Sequence, residues 1–130
     1  SDKIKFFGRV SDEELIDLYS QSLVVVHLVR QPPFGLIVTE SMACETPVIA
    51  CHRGGTDETI IHNETGFLID ENDHTSLIKY VKKILDNPEL SMEMGKKGRE
   101  RVQKKFELKS KNKELRELIR KWITEKQNNK

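Results

Sequence analysis

Apolar positions along this chain fall into short unbroken blocks separated by longer stretches with helical spacing. Residues 4–7 (IKFF) form the first block, closed by Gly8 and consistent with a strand. Ser11 can then cap a helix, with Glu14 three residues on and acids in the first turn, and Leu15, Leu18 and Tyr19 as its buried stripe. Residues 23–28 (LVVVHL) are β-branched and apolar, which suits a strand covered on both faces. A loop through Pro32 and Pro33 leads into a helical stretch from about Gly35 to Cys44, and residues 47–50 (PVIA) make another buried strand. Arg53, Gly54 and Gly55 read as a turn, residues 56–61 as a short helix and residues 66–69 (GFLI) as a fourth strand. Asn72 and Asp73 open a long helix carrying Leu77, Ile78, Val81, Ile84 and Leu85, which Asn87 and Pro88 end. Two further helices are expected over 92–106 and 108–122, the last with Leu115, Leu118, Ile119 and Trp122 on one face, followed by a frayed end. Strands alternating with helices predict an α/β fold: a parallel sheet of about four strands, flanked by helices and wound right-handed. Ligands of such sheets bind beyond the carboxyl ends of the strands, where the loops around residues 31–35 and 53–55 would lie.

Composition narrows the function classes. The 130 residues suffice for one domain with a modest core. Charged residues make up 33%, but 22 basic and 21 acidic side chains nearly cancel to +1. There is thus no general electrostatic case for nucleic acid as a partner. The basic residues gathered after Lys79 read as solvated helix faces. Cys44 and Cys51 lie in apolar surroundings without metal or redox spacing, which fits a reducing compartment. No apolar run approaches the ~20 residues of a membrane span. The expected location is the cytoplasm, free or peripheral to a membrane.

Candidate chemistry concentrates in PPFGLIVTESMA, residues 32–43. Gly35 near a helix start can offer free backbone N–H groups to phosphate oxygens. Glu40, five residues on, is a carboxylate able to accept both hydroxyls of a ribose diol. On these residues alone a solvated mid-helix glutamate is the more frequent case. His27, His52, His62 and His74 have no ligand spacing, and His27 reads as a packed core histidine. Cys44 reads as a small buried hydrophobe; Arg30 and Arg53 lie on loops where either could contact phosphate, although a solvated loop arginine is the more frequent case.

FGLIVTESMACETPVIA (34–50), GGTDE (54–58) and ETGFL (64–68), with FFGRVS (6–11), Glu14, Leu15 and Tyr19 upstream, resemble the carboxyl-terminal domain of group 1 (family 4) retaining glycosyltransferases of GT-B fold. The resemblance runs from about Ile4 to Phe106. It implies a partial Rossmann-like, nucleotide-sugar-binding domain over 1–106, with 107–130 as a carboxyl-terminal helix and tail. It further implies transfer of a sugar from a nucleotide-diphospho-sugar to a lipid, glycan or small-molecule acceptor, with this chain on the donor side. Carried over by position, Gly35 and Leu36 would present N–H groups to the diphosphate, and Phe34 and Gly35 would shape the loop beneath it. Glu40 would bind the ribose as the second carboxylate of the family's Glu-x7-Glu pair. Gly54 and Gly55 would line the same cleft with Glu58 beside them, although Glu58 equally suits a first-turn acid complementing a helix dipole. No catalytic side chain is assigned. No cofactor is implied, and no metal, since there is no Asp-x-Asp or comparable cluster.

Three departures from the family pattern accompany the resemblance. The first carboxylate of the pair falls at Pro32, which has no group to meet a sugar hydroxyl, and the adjacent Gln31 is a neutral amide. Glu45 stands where the family has glycine after the helix, so a left-handed backbone there would be strained. The two earlier strand–helix units of the donor domain, which lie between the first and second strands seen here, have no counterpart. The expectation is a fragment or truncated form whose partner is the amino-terminal domain of the same enzyme. Its exposed strand edges or its Trp122 helix would favour self-association, unless that helix packs on the domain's own core. The alternative is a non-catalytic nucleotide-binding or assembly module derived from a glycosyltransferase. An unrelated response-regulator-like domain is disfavoured by the lack of an acidic pair after the first strand.

Overall fold

The computed structural model describes residues 3–28, 35–52 and 59–105, together with 117, 120 and 121. Helix α1 (Asp12–Gln21) begins as its acidic first turn dictates. The Ser11 hydroxyl caps it, accepting the Glu14 N–H at 3.2 Å and donating to the Glu14 carboxylate at 3.1 Å. Its buried positions are Ile16 and Tyr19, with Leu15 and Leu18 only half covered. The stripe is centred on Ile16 because α1 packs against the following helix through Ile16, Tyr19 and Cys44.

Three parallel strands follow in spatial order β1 (Val25–His27), β2 (Val48–Cys51) and β3 (Gly66–Ile69). Val25 pairs with Val48, and Val48 with Gly66, so β2 is central and buried throughout. Helix α2 (Gly35–Ala43) crosses from β1 to β2. Residues 4–7 form no strand, so the sheet has three strands among the described residues rather than about four. Phe6 is 93% exposed and Ile4 63%, and β1 pairs only with β2. A hydrogen-bonded ladder needs a neighbour, and residues 4–7 have none among the described residues.

Alternation along the strands divides the core between two faces. Val38, Met42 and Ala43 of α2 meet Val48, Ala50 and Leu68 on one side. Ile49, Cys51, Phe67 and Ile69 meet α3 (His74–Asp86) on the other, through Leu77, Tyr80, Val81 and Ile84. Asp73 caps α3 by accepting the Ser76 N–H at 3.0 Å. Ile78 and Leu85, expected in the buried stripe, are exposed, while Tyr80 stacks flat on Phe67 at 4.3 Å between centroids. Gly66 lacks a side chain for a steric reason: a Cβ there would collide with the Val48 carbonyl oxygen. The outer side of β3 is occupied, with the Gly66 carbonyl accepting the Asn63 N–H at 2.9 Å and the Leu68 N–H donating to His62 Nδ1 at 3.0 Å.

Helix α4 (Pro88–Lys105) starts four residues earlier than the apolar pattern suggests, with Pro88 at its first position, where its missing N–H is no loss. It supplies Leu90 and Met94 to one core face and Val102 to the other. Near its middle it meets the end of α2. There the Glu45 N–H bonds to the Met42 carbonyl and the Thr46 N–H to the Ser41 carbonyl, both at 3.0 Å, a Schellman ending. Glu45 is left-handed at φ 62, the strain foreseen at this position. Its carboxylate pairs with Arg99 of α4 in a nearly buried ion pair. Of the expected final helix only Glu117, Arg120 and Lys121 are described, all helical. The Trp122 stripe lies outside the described residues.

Candidate functional site

Helix α2 begins at Gly35, so the N–H groups of Gly35 and Leu36 belong to the first turn, where no intrahelical carbonyl is available to them. This end of α2 follows the carboxyl end of β1, the side of a parallel sheet where ligands collect. Glu40 lies five residues along, about 7.5 Å further down the axis. Phe34, Gly54, Gly55 and Glu58 lie outside the described residues, as do Gln31, Pro32, Arg30 and Arg53.

Glu40 is no surface charge, being 3% exposed. It shares with Cys44, one turn on, the side of α2 that faces α1, and the Tyr19 hydroxyl donates to its Oε2 at 3.2 Å. Burial raises its pKa to about 7; the Tyr19 hydrogen bond works against that rise and the negative charge of Asp12 adds to it. Tyr19 is pushed the other way from acidity, by burial first and then by the Glu40 charge and hydrogen bond, so it keeps its proton and remains the donor.

A stability prediction follows from this raised value. The neutral carboxyl is favoured in the fold, so its contribution is complete below the unfolded value near 4.5 and is lost as pH rises through about 7. Glu40→Gln, which cannot ionise, is expected to melt above wild type at pH 8.5, with the difference vanishing at pH 4.5. Calorimetric melting temperatures at the two pH values check this.

His27, at the end of β1, is buried, and its Nε2 has no hydrogen-bond partner among the described residues. Burial lowers its pKa, keeping the ring neutral. Cys44 and Cys51 are buried free thiols. On the opposite face of the sheet, a cavity of about 170 Å³ opens beyond the strand ends, lined by Leu28, Cys51, Ile69 and the start of α3. Among the described residues no group of three or more His, Cys, Asp or Glu side chains could hold a metal, and no helix is long and apolar enough to cross a membrane. The Tyr19–Glu40 contact was missed as a pair. The available signal was that Tyr19 falls on the buried stripe of α1 and, being buried, needs a partner for its hydroxyl.

Comparison with known proteins bears on the family and the fold. The family model "Glycosyl transferases group 1" matches residues 1–101. N-acetyl-alpha-D-glucosaminyl L-malate synthase of Bacillus anthracis is 32% identical over 105 residues, which cover 81% of this chain and 27% of that protein. Among solved structures, sucrose-phosphate synthase from Thermosynechococcus elongatus superposes with a TM-score of 0.77 at 34% identity, over 100% of this chain and 32% of that one. HepE of Anabaena, solved with UDP-glucose, shares the fold with a TM-score of 0.75 at 21% identity, over 96% of this chain and 33% of that one. The chain thus spans about a quarter to a third of the proteins it matches.

Proposed function

Since the chain belongs to the group 1 glycosyl transferases, we propose that it forms the donor side of an enzyme that moves a sugar from a nucleotide-diphospho-sugar to an acceptor. The observation that carries this reading is Glu40, a carboxylate withdrawn from water on a helix whose first N–H groups open toward the carboxyl end of the sheet. A surface glutamate would need no buried tyrosine. A carboxylate with Oε2 taken by Tyr19 and no partner on Oε1 among the described residues is instead suited to receive hydroxyl donors.

In this reading the Gly35 and Leu36 N–H groups take the diphosphate, Glu40 takes the ribose, and Phe34, Gly54, Gly55 and Glu58 shape the surrounding cleft. The rate would come from neutralising charge on the departing diphosphate, an electrostatic effect prepared before the bond breaks. The partner that completes the cleft is a second, amino-terminal Rossmann-like domain, in keeping with the fraction of each relative that the chain spans. The sheet edges are a further candidate surface for self-association.

A second reading, a nucleotide-binding or assembly module without turnover, is favoured by Pro32 in place of the first motif carboxylate. Titration of the full-length protein with UDP-glucose, GDP-mannose and ADP-glucose, each with a turnover assay, separates the two. One donor is expected to bind, and Glu40→Gln to weaken it at least tenfold, the loss of a charge-assisted pair of hydrogen bonds. Unchanged affinity in Glu40→Gln would overturn the donor-site reading. Binding that depends on Glu40 but leads to no sugar release or transfer would establish the non-catalytic module.

A further inference from the structure

We propose that Tyr19 is a positioning residue of the donor site. It holds Oε2 of Glu40 so that Oε1 meets the ribose hydroxyls, and it thereby sets the pH at which a nucleotide-sugar binds. The inference rests on the reading of Glu40 as the ribose carboxylate.

The geometry fixes Tyr19 at both ends. Its ring is buried between α1 and α2 beside Ile16 and Cys44. Its backbone carbonyl accepts the Thr46 hydroxyl from the turn after α2, and the Ser41 hydroxyl donates to the Thr46 carbonyl at 3.0 Å. The helix bearing Glu40 and the helix bearing Tyr19 are thus tied at a second point, and the burial of the ring between them holds the phenol in place. The hydroxyl reaches Oε2 at 3.2 Å, while Oε1 accepts nothing among the described residues. A buried carboxylate with one oxygen unengaged is costly to leave ionised. A vicinal diol offers two donors at once, and the ionised form accepts them far more strongly than the neutral acid.

The charges around this carboxylate leave Tyr19 as its one close donor among the described residues. Asp12 on α1 is an acid and opposes ionisation. His27 of β1 is held neutral by burial. Arg99 of α4, the helix packed along α2, is committed to Glu45. Without ligand the carboxyl therefore exchanges its proton near pH 7, and a diol that binds the ionised form must release that proton. Donor affinity should rise with pH through this region and then level.

The experiment measures affinity for UDP-glucose, GDP-mannose and ADP-glucose between pH 5.5 and 8.5 on the full-length protein, using whichever binds most tightly. Each phosphate of these donors carries one ester and one anhydride bond, leaving a single strongly acidic oxygen that does not titrate in that range. In Tyr19→Phe the midpoint is expected to move to higher pH, because a hydrogen bond that favoured the ionised form has gone. An upward move of about one pH unit corresponds to roughly fivefold weaker binding at pH 7, with a smaller gap at pH 8.5. Site-specific 3-fluorotyrosine at position 19 keeps the ring and makes the hydroxyl a stronger donor, so its midpoint should move down; it carries the test if Tyr19→Phe does not fold. A merely structural role would lower affinity equally at every pH. Midpoints that coincide with wild type, while Glu40→Gln still weakens binding, would overturn the role of Tyr19 alone. An unchanged Glu40→Gln would instead remove the donor-site reading beneath it.

Discussion

Gly95→Ala is expected to cost the fold about 3 kcal/mol, although alanine is the better helix former by up to about 1 kcal/mol. A Cβ at Gly95 would lie 2.6 Å from the carbonyl carbon of Glu45 and closer still to its oxygen. Those atoms are backbone in a Schellman turn and have no rotamer to change, so α4 must lift away from α2. The lift would also open the core that Met42 and Val102 share. Gly98, one turn further along the same helix, supplies the control. A Cβ there would meet only the Met42 side chain, at 3.6 Å, an ordinary contact. Gly98→Ala should therefore stabilise by about 0.5–1 kcal/mol. Thermal melts should separate the two single-methyl variants by roughly 10 °C or more, on opposite sides of wild type. Equal effects would show that the approach of α4 to α2 is not what excludes a side chain from position 95.

The second large effect is expected at the residue Gly95 approaches. Glu45 is held left-handed, a conformation that costs a non-glycine residue about 1 kcal/mol or more. It is also the partner of Arg99, and both side chains are more than nine-tenths covered. Arg99 Nε already lacks an acceptor among the described residues. Glu45→Ala keeps the backbone strain and leaves a buried guanidinium without its counter-charge, so a loss of about 3–5 kcal/mol is expected. Glu45→Gly relieves the strain and should lose about 1 kcal/mol less. Combining Glu45→Gly with Arg99→Met removes strain and charge together and should return stability to near wild type or above it. Urea unfolding of Glu45→Gly, of Arg99→Met and of the double variant measures this coupling. Additive losses would mean that the ion pair contributes nothing specific.

Much of the fold was legible because it is written in local chemistry. The caps at Ser11 and Asp73, the β-branched block that contains β1 and the ending of α2 near Cys44 each depend on residues a few positions apart. What the pattern could not show is which arc of an apolar stripe finds a neighbour. Helical spacing selected Leu18, Ile78 and Leu85, whereas contact selected Ile16 and Tyr80. Residues 4–7 carry a strand's composition, but pairing is a property of two segments, and no described segment pairs with them. The candidate site divides in the same way. Glu40 could be picked out by its motif, yet its burial follows from the packing of α1 on α2, which no spacing within residues 32–43 encodes.

The two edges of the sheet differ, and the difference limits what the molecule can build. The outer side of β3 is engaged by Asn63 and by the His62 ring, while β1 pairs on one side only among the described residues. A sheet that can add strands at both edges propagates, because each new copy presents the edge that captured it. With one edge engaged, two copies meeting through β1 would consume the open edge of both, and growth would stop there. Were two copies to pair through β1, the Asn63 and His62 contacts on the outer side of β3 would leave such a pair no second edge of the same kind to extend.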